Sequence, residues 1–237
     1  MNKQSNTYTI LYIIGLIVIV GSALAGTSLA LRDRQQANAD ADKMRQILAA
    51  VHITPDAKNI ESDFNRYIVN QLVVNSQGDS VASDAFTIKM PAQVKLPASE
   101  RSLPVFVCRL DNGDTKYILP MYGAGLWGPI WGYIAVDSDG SHIYGAYFAH
   151  QGETPGLGAE IEKPAFCDQF DQSRGLNLFK GDRFLPVAVV KNGQKPSGDE
   201  DYVDGISGGT ITSKGVSDML ANCLSPYQSY LKNLSGK

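Results

Sequence analysis

Residues 103–121, LPVFVCRLDNGDTKYILPM, and residues 130–149, IWGYIAVDSDGSHIYGAYFA, carry the plainest structural signal in this chain. In the first, Leu103–Leu110 and Lys116–Met121 are rich in β-branched and aromatic residues. They flank Asp111-Asn112-Gly113-Asp114, whose Asn-Gly pair suits the positive φ of a hairpin turn. In the second, Ile130–Asp137 and His142–Ala149 flank Ser138-Asp139-Gly140 in the same way. Two consecutive hairpins predict a largely antiparallel sheet and exclude a doubly wound α/β fold.

Strand-like patterning starts at about residue 85, and Phe184–Lys191 (FLPVAVVK) reads as a further strand ended by Asn192-Gly193. Ser197-Gly198-Asp199-Glu200-Asp201 is a polar loop, and Thr212 to Leu231 reads as helix, broken near Pro226. Upstream, Thr54-Pro55 resembles an N-cap followed by Pro at the first helical position, with Ile60, Phe64 and Tyr67 on one face of a short helix. Ala37, Ala41, Met44, Leu48 and Val51 are spaced 4, 3, 4 and 3, the apolar stripe of a connecting helix that packs on its own domain.

The N-terminal region is of another kind. No charged residue lies between Lys3 and Arg32, and Ile10–Leu31 is apolar apart from Ser22, Thr27 and Ser28. As a helix those 22 residues span ~33 Å, enough to cross a bilayer. A cleaved leader is the alternative, since Ala23-Leu24-Ala25 before Gly26 resembles a cleavage site. The apolar run continues to Leu31, which favours an uncleaved anchor. The anchor holds no Asp, Glu, Lys, Arg or His and so supplies no ion path of its own. The expected organisation is a short tail at 1–9, a transmembrane anchor at 10–31, connecting and packing helices at 32–84, and an α+β domain at 85–237.

Composition narrows the function. With 21 Lys+Arg against 24 Asp+Glu, the net charge is −3 and the pI near 5.6, which excludes a basic nucleic-acid footprint. Three Cys are too few for a disulfide scaffold; Cys108 reads as a buried small hydrophobe, and whether Cys167 and Cys223 pair is open. His52, His142 and His150 lack ligand spacing. Gly123–Gly128 satisfies G-x-G-x-x-G, but Pro129 and a strand follow where a dinucleotide site needs a helix. Lys214 is out of register for a P-loop, and Ser207 lacks the G-x-S-x-G context of a hydrolase nucleophile.

Two segments exceed what structure alone asks for. Gly152-Glu153-Thr154-Pro155-Gly156-Leu157-Gly158 offers a backbone that a planar ligand can approach closely, though an ordinary strand-to-helix turn has the same composition. Asp204-Gly205-Ile206-Ser207-Gly208-Gly209-Thr210 leaves Thr210 on small-residue backbone just before a helix, where free N–H groups and the helix dipole stabilise a phosphate. A glycine-rich cap, with Thr212 or Ser213 as the N-cap, is the plainer reading.

Residues 204–210 resemble the D-x-x-S-G-A-T motif on which bacterial flavin transferases esterify FMN, and ETPGLG at 153–158 is similar to a stretch of the FMN-bearing subunits of the Na⁺-translocating NADH:quinone reductase and the Rnf complex. The Pro120–Trp127 run, Trp131-Gly132-Tyr133 and His150–Thr154 resemble the NqrC family, which belongs to the former, more closely. The departure is Gly209, where the motif usually has Ala. The resemblance implies covalent FMN on Thr210, with Asp204, Ser207, Gly208 and Gly209 read by the FMN transferase. It further implies that Trp127, Glu153, Thr154, Leu157 and Gly158 contact the isoalloxazine and that Lys191 lies near it; a plain core aromatic is the lesser alternative for Trp127. Other implications are an electron-relay role without a catalytic residue of its own, and flavin- and iron–sulfur-bearing subunits as partners. The chain would be single-pass in the bacterial inner membrane, in contact with membrane lipid, with its domain on the periplasmic side. An Rnf-type flavoprotein, a non-redox membrane-tethered ligand-binding module and a structural assembly protein with a vestigial motif are the alternatives.

Overall fold

A computed structural model describes residues 6–235. Residues 1–5, which include Lys3 and most of the expected tail, lie outside the described residues. One helix, α1 (Asn6–Ala49), runs without interruption through the expected anchor segment and the apolar stripe after it. Its N-terminal part is long and apolar enough to cross a membrane. Within it, the Thr27 hydroxyl donates to the Ala23 carbonyl at 2.7 Å, so one of the few polar groups in the run is satisfied internally.

Residues 1–43 and 44–237 form two compact units. In the second, α2 (Ile60–Tyr67) leads without a break into β1 (Ile68–Val74), followed by β2 (Ser80–Val81), α3 (Met90–Gln93) and a 3-10 turn at Ala98–Glu100. Then come β3 (Leu103–Arg109), β4 (Thr115–Ala124), β5 (Pro129–Asp137) and β6 (Ile143–His150). These strands form one six-stranded antiparallel sheet in the order β2-β1-β3-β4-β5-β6. Both expected hairpins are present. Gly113 (φ 89°) and Gly140 (φ 69°) take the left-handed positions of their turns, which glycine reaches without steric cost.

The α+β expectation therefore holds, with four local corrections. Ile68–Val74 is a strand inside the stretch expected to hold only connecting and packing helices. Residues 85–102 form turns and short helices instead of strand. Thr54-Pro55 does not start a helix, because α2 begins at Ile60 with Asn59 at the cap position. Phe184–Lys191 is divided by Pro186 into β8 (Arg183–Phe184) and β9 (Ala188–Val190), since Pro cannot donate to a ladder. Before these lie a 3-10 turn (Gly158–Glu162), α4 (Pro164–Cys167) and β7 (Phe179–Lys180), which pairs with β8.

Side chains alternate across the sheet and bury both faces. Leu103, Val105, Leu119, Met121 and Ile134 enter one core; Phe106, Cys108, Ile118 and Tyr133 enter the other, beneath Ile47, Leu48 and Val51 at the end of α1. Burial on two faces explains why these strands read as nearly continuous apolar runs. The first core is closed by α5 (Thr210–Leu224), which continues through a 3-10 turn at Ser225–Tyr227 into α6 (Gln228–Ser235). The break falls at Pro226, as expected.

Two glycines let α5 reach the sheet. A Cβ on Gly215 would strike the Ala124 carbonyl, and one on Gly123 would stand 2.8 Å from the Met219 Cβ. Beside α5, β9 pairs in parallel with β10 (Tyr202–Asp204), and Gly205 N–H donates to the Val190 carbonyl at 2.6 Å. Asp204-Gly205 and Lys191 are thereby brought side by side just ahead of the helix. Cys108, Cys167 and Cys223 are free thiols, and burial pushes Cys108 up to about 12 and Cys167 to about 11.

Candidate functional site

Helix α5 starts slightly earlier than the sequence suggests. Thr210 is its first helical residue, Gly209 holds the cap position without a side-chain cap, and Ser213 N–H makes the first helical bond, to Gly209 O at 2.8 Å. Neither Thr212 nor Ser213 is the N-cap. The N–H groups of Thr210, Ile211 and Thr212 thus have no protein acceptor among the described residues, and the Thr210 side chain is exposed beside them. Ser213 instead accepts the Ile206 N–H on its hydroxyl at 2.8 Å, which folds the 205–209 loop back over the helix start.

Thr210 stands between two clefts. The smaller, about 210 Å³, is lined by Leu126, Trp127, Glu153, Thr154, Leu157 and Gly158 on one side and by Gly208–Thr212 on the other. The larger, about 370 Å³, is lined by Lys191, Asn192, Ser207, Ser213 and Lys214 among others. Gly208 and Thr210 belong to both. Trp127, Glu153, Thr154, Leu157, Gly158 and Gly209 thus meet Thr210 in the smaller cleft; Lys191 and Ser207 face it from the larger one. Asp204 lines neither. Its backbone is clamped by Gln169, which accepts from Asp204 N–H at 2.8 Å and donates to Asp204 O at 3.0 Å.

Trp127 is 68% exposed, which removes the core-aromatic reading. Leu126, Leu157 and Ile211 are exposed around the same rim. Exposed large apolar side chains gathered at one opening mark a surface made to be covered. Glu153, by contrast, is only 5% exposed. Its Oε1 accepts Trp127 N–H at 2.8 Å and its Oε2 accepts the Thr212 hydroxyl at 2.6 Å. Its first role is therefore a brace between the β4–β5 turn and the start of α5.

The glycines around the brace are sterically required. A Cβ on Gly158 would collide with Glu153 Oε2 and stand 2.6 Å from Thr212 Oγ1; one on Gly125 would stand 2.5 Å from Glu153 Oε1. At Gly209, where the motif usually has Ala, a Cβ would stand 3.1 Å from Ile206 and 3.3 Å from Gly158 N, tighter than ordinary contact, so alanine there needs its neighbours to give by a few tenths of an ångström. His150, which the sequence leaves without a task, accepts Glu153 N–H on Nδ1 at 3.1 Å, and its Nε2 lies 3.5 Å from Glu162. The signal for Thr212 as a site residue was absent from the sequence, because it depends on a carboxylate 59 positions away.

An exposed threonine on a helix N-terminus, beside a cleft rimmed by Trp127 and aliphatic side chains, has the chemistry to take a phosphorylated planar ligand. Residues 125–225 match the FMN-binding domain family. NqrC of the Na⁺-translocating NADH-quinone reductase of Vibrio vulnificus is 37% identical over 231 residues, covering 91% of this chain and 89% of its own length. The Yersinia pestis protein of the same description is 32% identical, with 91% and 87% covered. The crystal structure of its counterpart from Parabacteroides distasonis superposes with a TM-score of 0.78 at 49% identity, covering 85% of this chain and 96% of the other. That of Shewanella oneidensis NqrC gives 0.70 at 26% identity, with 85% and 100% covered. The chain belongs to the NqrC family, one of the constituent subunits of Na⁺-translocating NADH-quinone reductases.

Proposed function

We propose that this chain is the membrane-anchored electron carrier of such a reductase, holding FMN as a phosphoester on Thr210. The observation that carries the reading is the exposed Thr210 hydroxyl on the first turn of α5, together with three N–H groups that have no acceptor among the described residues. A phosphate esterified there gains those donors and the positive end of the helix dipole. Bound FMN would supply reversible electron transfer, the chemistry that no side chain here provides. Trp127 and Leu157 would cover its ring, Thr154 and backbone N–H groups would bond its polar edge, and Lys191 would offset negative charge. Glu153 acts by holding the Trp127 backbone and Thr212 in place.

Asp204, Ser207, Gly208 and Gly209 are proposed as the groups an FMN transferase reads during maturation. Electrons would pass from NADH through flavin and iron–sulfur centres of partner subunits to this FMN, and on toward quinone. The anchor would sit in the inner membrane with the domain on the periplasmic side. The NqrC relatives favour this assignment over an Rnf-type flavoprotein.

The test is the intact mass of the full chain co-produced with a competent flavin transferase. The expected increment is one FMN less one water, together with a band fluorescent under ultraviolet light after denaturing electrophoresis. Thr210→Ala should lose both while its far-UV circular dichroism is unchanged. An unmodified wild-type mass would overturn the reading.

A further inference from the structure

We propose that the larger cleft is a second seat for the isoalloxazine tethered at Thr210: the oxidised ring lies in the Trp127 cleft, and the reduced, anionic ring moves to the cleft of Lys191. This rests on the flavin reading above and adds to it a redox-dependent position.

Three observations carry it. First, the two clefts adjoin at one attachment point, sharing Gly208 and Thr210 and no other lining residue. A ribityl phosphate chain is flexible enough to lay a ring to either side of its anchor. Second, size alone does not settle the ring on the Trp127 side. That cleft is about 210 Å³ and the other about 370 Å³, and only the larger falls in the usual range of roughly 300–1,000 Å³ for ligand pockets.

Third, the two linings differ in charge. The smaller cleft presents exposed Leu126, Trp127, Leu157 and Ile211 above the buried Glu153 carboxylate, which suits an uncharged planar ring and repels an anion. The larger presents Lys191 and Lys214. Lys214 is paired with Asp218 at 2.6 Å, whereas Lys191 has no carboxylate partner among the described residues. Two-electron reduction with uptake of one proton adds a negative charge to the ring. That charge reverses the preference between the linings. Gly208, common to both linings, has φ 76°, and a Cβ there would stand 2.6 Å from Leu157 Cδ2.

Hydrogen–deuterium exchange read by mass spectrometry, on the full flavinylated chain in lipid nanodiscs, tests the exchange of seats. With the oxidised protein, amides 125–128 and 154–158 should exchange about tenfold more slowly than in Thr210→Ala. After reduction with dithionite, that protection should pass to amides 190–193 and 205–207. In Lys191→Gln, an exposed position, it should stay on the Trp127 side in both redox states. Protection that is unchanged by reduction, or that moves equally in Lys191→Gln, overturns the second seat while leaving the tethered flavin intact. A chain whose mass carries no FMN overturns both.

Discussion

The Glu153 carboxylate and the Thr212 hydroxyl meet at 2.6 Å in a buried position, and the same carboxylate takes the Trp127 N–H at 2.8 Å. One side chain thus ties the turn after β4 to the first turn of α5, the two walls of the smaller cleft. Thr212→Val keeps the side-chain shape and removes the donor, so it should cost about 1–3 kcal/mol, the penalty of a buried group left short of a partner. Glu153→Gln should cost less, because its amide can accept from Trp127 while donating to a rotated Thr212 hydroxyl. The double variant should be non-additive by at least about 0.5 kcal/mol. Urea titration of the full chain in detergent, followed by tryptophan fluorescence, measures all three; strictly additive losses would show that the two residues do not act together.

Gly158 and Gly152 lie in one loop and should respond oppositely to alanine. At Gly158 a methyl would strike Glu153 Oε2 and crowd Thr212, whereas at Gly152 it would meet nothing within 4 Å. Gly158→Ala is therefore expected to lose about 1–3 kcal/mol through overpacking and to be flavinylated less completely than wild type. Gly152→Ala, whose φ is not in the left-handed region, should be neutral or gain up to about 1 kcal/mol by restricting the unfolded chain. Equal effects at the two positions would mean that the Glu153 brace is not what makes Gly158 necessary.

The contrast between these glycines marks where reading the sequence succeeds and where it stops. The hairpins at Asn112-Gly113 and Asp139-Gly140 were legible because a turn's backbone requirement is local. So was the long apolar helix at the N-terminal end, a matter of composition and length. The β1 strand was hidden because Tyr67 and Ile68 join helix to strand with no breaker between them. The Gly123–Gly128 run could be denied a dinucleotide role, but its purpose could not be read. Gly123 yields to Met219, and Gly125 to Glu153, residues distant in the chain. Thr210 stood out through its motif, and its place on the first turn of α5 is a local matter. That Lys191 lines a cleft shared with Thr210 was not, because the parallel pairing of β9 with β10 brings it there.

The turn between β5 and β6 should make the protein acid-sensitive in a traceable way. Asp139 Oδ1 accepts Ser141 N–H at 2.8 Å and His142 N–H at 3.1 Å, while Oδ2 pairs with His142 Nδ1. Burial works to raise its carboxyl pKa, but the His142 ring and the two N–H donors outweigh it and hold the group below its usual value. Ser173, through its hydroxyl and N–H, lowers Asp171 in the same sense. A carboxyl depressed by folding contributes stability above its unfolded pKa of about 3.9, and that contribution is lost as pH falls through the folded value. The urea midpoint of the wild type should therefore decline as pH is lowered from about 5 through 3. Asp139→Asn keeps an oxygen for the turn but cannot ionise. It should be less stable than wild type at pH 6, and the gap should close on acidification as wild-type Asp139 becomes protonated. Midpoints that run parallel across the whole range would show that the Asp139 charge contributes nothing to holding this turn.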